Sequence, residues 1–249
     1  MRACRFLVLG SLTALAMTGA AADEVSVAVA ANFTAPMNAI AAEFARDTGH
    51  KAHLAFGSSG KFYAQIVNGA PFDVLIAADD ETPARLVAEK HAISGSAFTY
   101  ATGKLVVWSA TPGFIDGQAT VLKNGAFRYL SIANPKLAPY GRAAMETLAA
   151  LKIEVPLNKI VTGENIAQTF QFVSTGNADL GFVALSQVWK DGKLTSGSGW
   201  IVPVTLHAPI RQDAVLLEKG RANAAASALL AYLKTPAARA VIERYGYGK

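Results

Sequence analysis

Cysteine is all but absent from this chain: 249 residues contain one, Cys4, ahead of the apolar stretch Phe6 to Met17. A lone thiol cannot close an intrachain disulfide. The chain beyond that stretch therefore has no disulfide framework, thiolate nucleophile or cysteine metal cluster. Histidine is scarce too, and His50, His53, His91 and His207 show no H-E-x-x-H or other ligand spacing. A G-x-S-x-G nucleophile elbow is also missing. Charged residues make up only 16% of the chain, and the net charge of +5, which includes Arg2 and Arg5, is scattered without a basic cluster. A nucleic-acid footprint is excluded on that ground. After Met17 no apolar run is long enough to span a bilayer. What the chain has in quantity is hydrophobic residues, 52% of the total, so burial of apolar surface must supply its stability.

The N-terminus reads as a secretory signal peptide. Arg2 and Arg5 precede the apolar stretch, and Gly19 to Ala22 provide the small residues of a cleavage site. Cleavage is expected near Ala22. Cys4 lies before the apolar core and not at the cleavage point, so no lipid anchor is expected.

From Glu24 onward, short apolar or β-branched runs alternate with amphipathic segments, the pattern of βα units around mostly parallel sheets, and the fold class is α/β. Strands are predicted at Val25 to Ala31, Lys51 to Phe56 and Val74 to Ala77. Helices are predicted at Pro36 to Arg46, Lys61 to Val67 and Pro83 to Glu89, the last capped by Asp79 or Asp80. Thr102-Gly103 interrupts the apolar stretch Phe98 to Ser109 and marks a crossover. The pattern then restarts: strands at Leu105 to Trp108, Tyr129 to Ala133, Ile160 to Thr162, Leu180 to Val183 and Trp200 to Val204, with helices at Arg142 to Leu151 and Ala167 to Ser174. Asp213 to Leu217 reads as a return strand, and helices at Ala222 to Lys234 and Pro236 to Tyr245 are expected to pack on the first part. This gives one lobe of residues 23–102 plus 210–249 and a second of 103–209. Periodicity leaves a single continuous sheet open as the alternative.

Four segments place small polar residues between a strand end and a helix start, where unpaired N–H groups and the helix dipole favour an anion. They are Ala30-Ala31-Asn32-Phe33-Thr34, Gly57-Ser58-Ser59-Gly60-Lys61, the loop Asn134 to Gly141 with Tyr140, and Thr162-Gly163-Glu164-Asn165-Ile166. Any one alone reads as an ordinary cap. The second is not a nucleotide loop, because a Walker motif needs glycine where Ala55 stands and Ser or Thr where Phe62 stands. Asp79-Asp80-Glu81 is the one acidic cluster; a secreted metal-dependent hydrolase, using Asp79, Asp80 or a histidine, is the rival reading, although acidic residues at a helix start are already explained by the dipole.

Taken together, these segments resemble, in order and in wording, the periplasmic molybdate-binding proteins of ABC transporters. The likeness runs through A-A-N-F-T at Ala30 to Thr34, F-G-S-S-G at Phe56 to Gly60, A-Q-I-V-N-G-A-P-F-D-V at Ala64 to Val74, A-P-Y-G at Ala138 to Gly141, A-D-L-G-F-V-A-L at Ala178 to Leu185, and R-Y-G-Y near the end. The resemblance implies a type II periplasmic-binding fold of two lobes joined by two crossover strands. It implies a tetrahedral oxyanion, molybdate or tungstate, held between the lobes by neutral donors, with no other metal and no cofactor. Asn32 and Ser59 would give side-chain and backbone donors from one lobe, and the Tyr140 hydroxyl and Ile166 N–H would close from the other. Ala31, Ser58 and Asn165 are further candidates. Some relatives have a tyrosine where Ala184 stands here, so Tyr140 would supply the hydroxyl from a different loop. The implied setting is the periplasm, the implied partner a membrane permease, and the implied state a monomer without enzymatic activity. A receptor for sulfate or another small oxyanion is the alternative.

Overall fold

The computed structural model describes residues 23–248. The predicted leader, residues 1–22 with Cys4 and the cleavage site, lies outside them.

The first part of the chain runs β1 (Glu24–Ala30), a 3-10 turn (Ala31–Phe33), α1 (Thr34–Thr48), β2 (Lys51–Gly57), α2 (Ser59–Val67), β3 (Val74–Ile76), α3 (Glu81–Ala88) and β4 (Phe98–Gly103). One residue later β5 (Leu105–Ser109) opens a second sheet. There follow α4 (Thr120–Asn124), β6 (Leu130–Ala133), α5 (Pro139–Ala150), β7 (Ile160–Gly163), α6 (Ile166–Ser174), β8 (Leu180–Ala184), α7 (Leu185–Val188), the short strands β9 (Trp189–Lys190) and β10 (Lys193–Leu194), and β11 (Ser198–Ile201). The chain then returns as β12 (Ile210–Leu216) and ends in α8 (Ala224–Tyr232) and α9 (Pro236–Arg244).

Two five-stranded sheets result, ordered β2-β1-β3-β12-β4 and β11-β5-β8-β6-β7. A single continuous sheet is thereby ruled out. In each sheet three adjacent strands pair in parallel, one strand runs against them, and the edge strand beyond it reverses again, so four of five point the same way. Both faces of each sheet are covered, as the period-two alternation of side chains requires. On β1, Val25, Val27 and Val29 pack with Phe33, Met37, Ile40 and Phe44 and with Leu229 and Val241 of the last two helices. Ala28 faces the other way, toward Phe62, Ile66, Leu75 and Leu86. On β5, Leu105 and Val107 join Leu130, Ile132 and Phe182, while Val106 and Trp108 join Val173 and Val183.

Several boundaries differ from the sequence reading, for local reasons. Helix α5 begins at Pro139 and not at Arg142, because proline's fixed φ suits the first helical position; this puts Tyr140 in the first turn. Strand β11 stops at Ile201, short of Pro203, and β12 starts at Ile210, earlier than Asp213. The hairpin β9–β10 turns at Asp191-Gly192, both at positive φ. At α3 the capping contact comes from Asp79, whose Oδ1 accepts the Thr82 N–H at 2.7 Å; Asp80 makes no side-chain cap.

Two stability predictions follow from these contacts. A Cβ at Gly141 would run into the backbone carbonyl of Ala133 at the end of β6. Gly141→Ala is expected to destabilise the fold by about 1–3 kcal/mol, measured as a lower urea midpoint with unchanged slope. Burial holds the Asp79 carboxyl above its ordinary range, against the Thr82 hydrogen bonds and the Arg142 charge. A carboxyl raised in the folded state costs stability above its folded pKa, and that cost disappears as pH falls to the ordinary carboxylate value. Asp79→Asn, which keeps an acceptor for Thr82, is therefore expected to be at least as stable as the wild type at neutral pH. The wild type should gain on the variant as pH is lowered through that window in paired urea titrations.

Candidate functional site

Each of the four polar segments sits where a strand reaches its carboxyl end and a helix or 3-10 turn begins. Strand β1 runs into the turn Ala31–Phe33, β2 into α2, β6 through a short loop into α5, and β7 into α6. The first two belong to one sheet and the last two to the other. The structure brings all four to one small cavity. Ala31, Asn32, Ser58 and Ser59 line it from one side, with Ala138, Tyr140, Asn165 and Ile166 on the other. The space is ≈ 10 Å³ to the centre of a water-sized guest, and no charged side chain borders it.

Hydrogen-bond donors in this wall are left over by the local structure. Asn165 caps α6: its Oδ1 accepts the N–H groups of Ala167 and Gln168 at 2.9 and 3.0 Å. The side-chain oxygen is thus taken up by the cap, and the cap passes over the N–H of Ile166 at the first helical position. On α2, the Gly60 N–H reaches across to the Leu137 carbonyl at 3.0 Å. Ser59 is fully buried, and its Oγ accepts the Ala78 N–H at 3.0 Å, which leaves the hydroxyl hydrogen free to donate. Ser58 Oγ is buried with no hydrogen-bond partner among the described residues. A buried hydroxyl in that state costs about 1–3 kcal/mol, and this one faces a cavity. Ala31 offers only its backbone.

Asn32 differs from its sequence reading. Its amide nitrogen donates to Gln212 Oε1 and to the Tyr247 hydroxyl, each at 2.9 Å, so both amide hydrogens are engaged inside the protein. The side-chain donor expected of Asn32 is therefore not free, and only its backbone is left to serve a guest. Asn32 instead anchors a buried network that the sequence did not reveal. Gln212 Nε2 donates to the Tyr140 hydroxyl at 3.0 Å, the Tyr100 hydroxyl lies 2.9 Å from Gln212 Oε1, and Ser186 Oγ donates to the Asn32 carbonyl at 2.7 Å. Burial drives the phenols of Tyr140, Tyr100 and Tyr247 well above their ordinary pKa, so all three are neutral hydroxyls. No local motif marks Gln212. Its one signal is a polar residue inside a strand whose neighbours Ile210, Ala214 and Val215 are core. Ala184, fully buried at the end of β8, offers no hydroxyl.

Outside the cavity, two larger crevices of ≈ 280 and 370 Å³ carry the charged residues Asp79, Glu81, Arg142 and, in one of them, Arg211. Ion pairs cross between the sheets' loops, Arg142 to Glu81 at 2.8 Å within these crevices and Lys61 to Glu164 at 2.5 Å. Asp80 faces Arg211 at 3.6 Å. Among the described residues, no group of three or more His, Cys, Asp or Glu is arranged to hold a metal ion. The acidic cluster is thus accounted for by a helix cap and two ion pairs.

Residues 25–248 match the family profile described as bacterial extracellular solute-binding protein. The molybdate-binding protein ModA of Azotobacter vinelandii is 60% identical over 243 residues, which is 97% of this chain and 96% of that protein. That of Rhodobacter capsulatus is 52% identical over 92% of this chain and 89% of its own length. Among solved structures, the Azotobacter vinelandii periplasmic molybdate-binding protein superposes with a TM-score of 0.86 at 40% identity, covering 90% of this chain and 99% of that one. The two α/β sheets, the cavity between them and these likenesses place the chain in the bacterial extracellular solute-binding protein family, alongside relatives named for molybdate binding.

Proposed function

We propose that this protein captures molybdate, or tungstate, from the periplasm and hands it to the membrane permease of an ABC transporter, acting as a monomer without a cofactor and without catalysis. One observation carries the reading: a small cavity between two sheets, bordered by no charged side chain, is lined by hydrogen-bond donors of which the Ser58 hydroxyl and the Ile166 N–H are left over by the local structure. The donors assigned to the oxyanion are the Ser58 and Ser59 hydroxyls, the Tyr140 hydroxyl, the Ile166 N–H and the backbone of the Ala31–Phe33 turn. Helix N-termini add their dipoles to these groups. A dianion can be held this way without a countercharge, because fixed dipoles in a dry site need no reorganisation when it arrives. The names of the 60% and 52% identical relatives supply the choice of molybdate over other tetrahedral anions.

Binding requires both halves. Ser58 and Ser59 stand on one, Tyr140 and Ile166 on the other, so a guest gains its full contact set only when the two are together. The closed form is stabilised by that difference in contact, and the shape it takes is what a permease can distinguish from the open one.

Calorimetric titration tests the donor set. Ser59→Ala and Tyr140→Phe are each expected to weaken molybdate binding by about tenfold or more, since hydrogen bonds to charged groups contribute ~1.5–3 kcal/mol. Ser58→Ala should show opposite signs in two assays: weaker molybdate binding, yet an unliganded melting temperature equal to or above the wild type, because the variant removes an unsatisfied buried hydroxyl. A thermal-shift panel of molybdate, tungstate, sulfate, phosphate and chromate on the purified protein should show its largest shifts with the first two. Absence of any molybdate shift would overturn the reading.

A further inference from the structure

The R-Y-G-Y end of the chain, residues 244–247, does not line the cavity, yet it reaches both halves of the molecule. Helix α9, packed on the first sheet, ends at Arg244, whose carbonyl accepts the Asp191 N–H at 2.9 Å and whose Nε meets Asp191 Oδ1 at 3.0 Å in the β9–β10 hairpin. Gly246 follows at φ +83°, and a Cβ there would meet the Trp189 and Leu185 side chains at 2.9 and 3.0 Å, so glycine is what lets the chain pass this close to α7. Gly248 then pairs with Thr102 in both directions, at 3.0 and 2.9 Å, on the strand that leads across to β5. The hairpin and α7 continue β8 of the second sheet, whereas α9 and Thr102 belong to the first.

Tyr247 is buried between these anchors. Its ring meets Phe33 edge-on, 5.4 Å between centroids. Its hydroxyl accepts the Asn32 amide at 2.9 Å and has the Asn32 carbonyl at 2.9 Å and Ser186 Oγ at 3.1 Å as acceptors for its hydrogen. Ser186, in α7, donates to the same carbonyl at 2.7 Å. The Ala31–Phe33 turn is thus gripped by a carbonyl, an amide and an aromatic ring, while Ala31 and Asn32 also border the cavity. Both chain crossings, β4 into β5 and β11 into β12, use one edge of each sheet; β2 and β7, which lead to the Lys61–Glu164 pair, form the opposite edges. We propose that residues 244–248 are a strap joining the two halves behind the pocket, with Tyr247 as the positioning residue that ties the Ala31–Phe33 turn to α7, so that the halves part at the ion-paired rim and stay registered at the crossing edge. Release of that tie widens the range of separations in the empty molecule, and a guest that needs both halves in place then binds in proportion to the smaller aligned fraction. The inference rests on the two-halved oxyanion reading above and adds to it a residue outside the cavity.

Spin-label distances read the tie directly. Labels on Gln65→Cys and Gln171→Cys, exposed positions on α2 and α6, in a Cys4→Ser background report the separation of the halves by electron–electron double resonance. Tyr247→Phe keeps the ring contact with Phe33 and removes the hydroxyl. In the unliganded protein this variant is expected to give a distance distribution broader and centred farther out than native Tyr247 does. With saturating molybdate the two distributions should coincide, and calorimetry should show molybdate affinity at least about fivefold lower in the variant. Unliganded distributions that coincide, liganded ones that stay apart, or an affinity within about twofold of the wild type overturns the proposal. A merely structural hydroxyl would lower the melting temperature and leave the unliganded distances where they are. Should Tyr247→Phe fail to fold, Ser186→Ala, which takes the α7 hydroxyl off the Asn32 carbonyl, is read by the same measurements with the same expected outcomes. Failure of the wild type to bind molybdate at all is a different result: it overturns the oxyanion reading, and the unliganded distances still decide for or against the strap.

Discussion

A helix cannot satisfy the first N–H groups of its own opening turn, and the whole site of this protein is organised around that shortfall. In most helices a side-chain cap or solvent answers it. Here α2 lacks a side-chain cap, and the α6 cap covers Ala167 and Gln168 while passing over Ile166. The parallel strands β1, β2, β6 and β7 deliver their helices or turns to the same end of each sheet. The two sheets then set those ends against each other, and unpaired dipoles that would be a small local cost in four separate places become one concentrated electropositive pocket. Ala30, Ala31 and Ala78 on the first sheet's side pack in the same apolar cluster as Ala138, Tyr140 and Ile166 on the second's, and apolar surroundings strengthen the dipoles.

The polar network behind the pocket plays a different part. Asn32, Gln212, Tyr100, Tyr247 and Ser186 come from widely separated stretches, yet each is engaged by at least one of the others. Their satisfaction is nearly complete, in contrast to the pocket wall, where Ser58 has none. Buried polar groups that are fully paired rigidify, and those left over are available to a guest. The two meet at Tyr140, which borders the cavity and whose hydroxyl accepts from Gln212.

Much of this was legible in the residues. Alternation of β-branched runs with amphipathic helices reads directly as βα units, and the Thr102-Gly103 interruption lies where the chain leaves one sheet for the other. The four strand-to-helix segments could be singled out only together, because small polar residues at any one such junction serve equally well as an ordinary cap. Three things were not legible. The engagement of the Asn32 side chain was not legible because an amide at a helix start looks the same whether it caps, donates outward or, as here, reaches a strand 180 residues away. Gln212 and Ser186 carry no local pattern, since a network is defined by distances between segments and not by spacing within one. The short elements α4, α7 and β9–β10 are too brief for periodicity to register, although the Asp191-Gly192 turn did offer a hairpin signal.

The ion pairs that span the rim of the pocket bear on how firmly the two halves stay together. Lys61 and Glu164, Arg142 and Glu81 are all substantially exposed, with side-chain accessibilities between 39% and 70%. Pairs of this kind contribute between nothing and about 1 kcal/mol and fade as salt rises. They align the edges as they meet, much as dowels align two boards, but they hold too weakly to act as a clasp. What holds the two edges against each other is therefore less these pairs than the buried contacts behind them, the packing of Ala30, Ala31 and Ala78 on Ala138, Tyr140 and Ile166 and the hydrogen bond from Gly60 to Leu137.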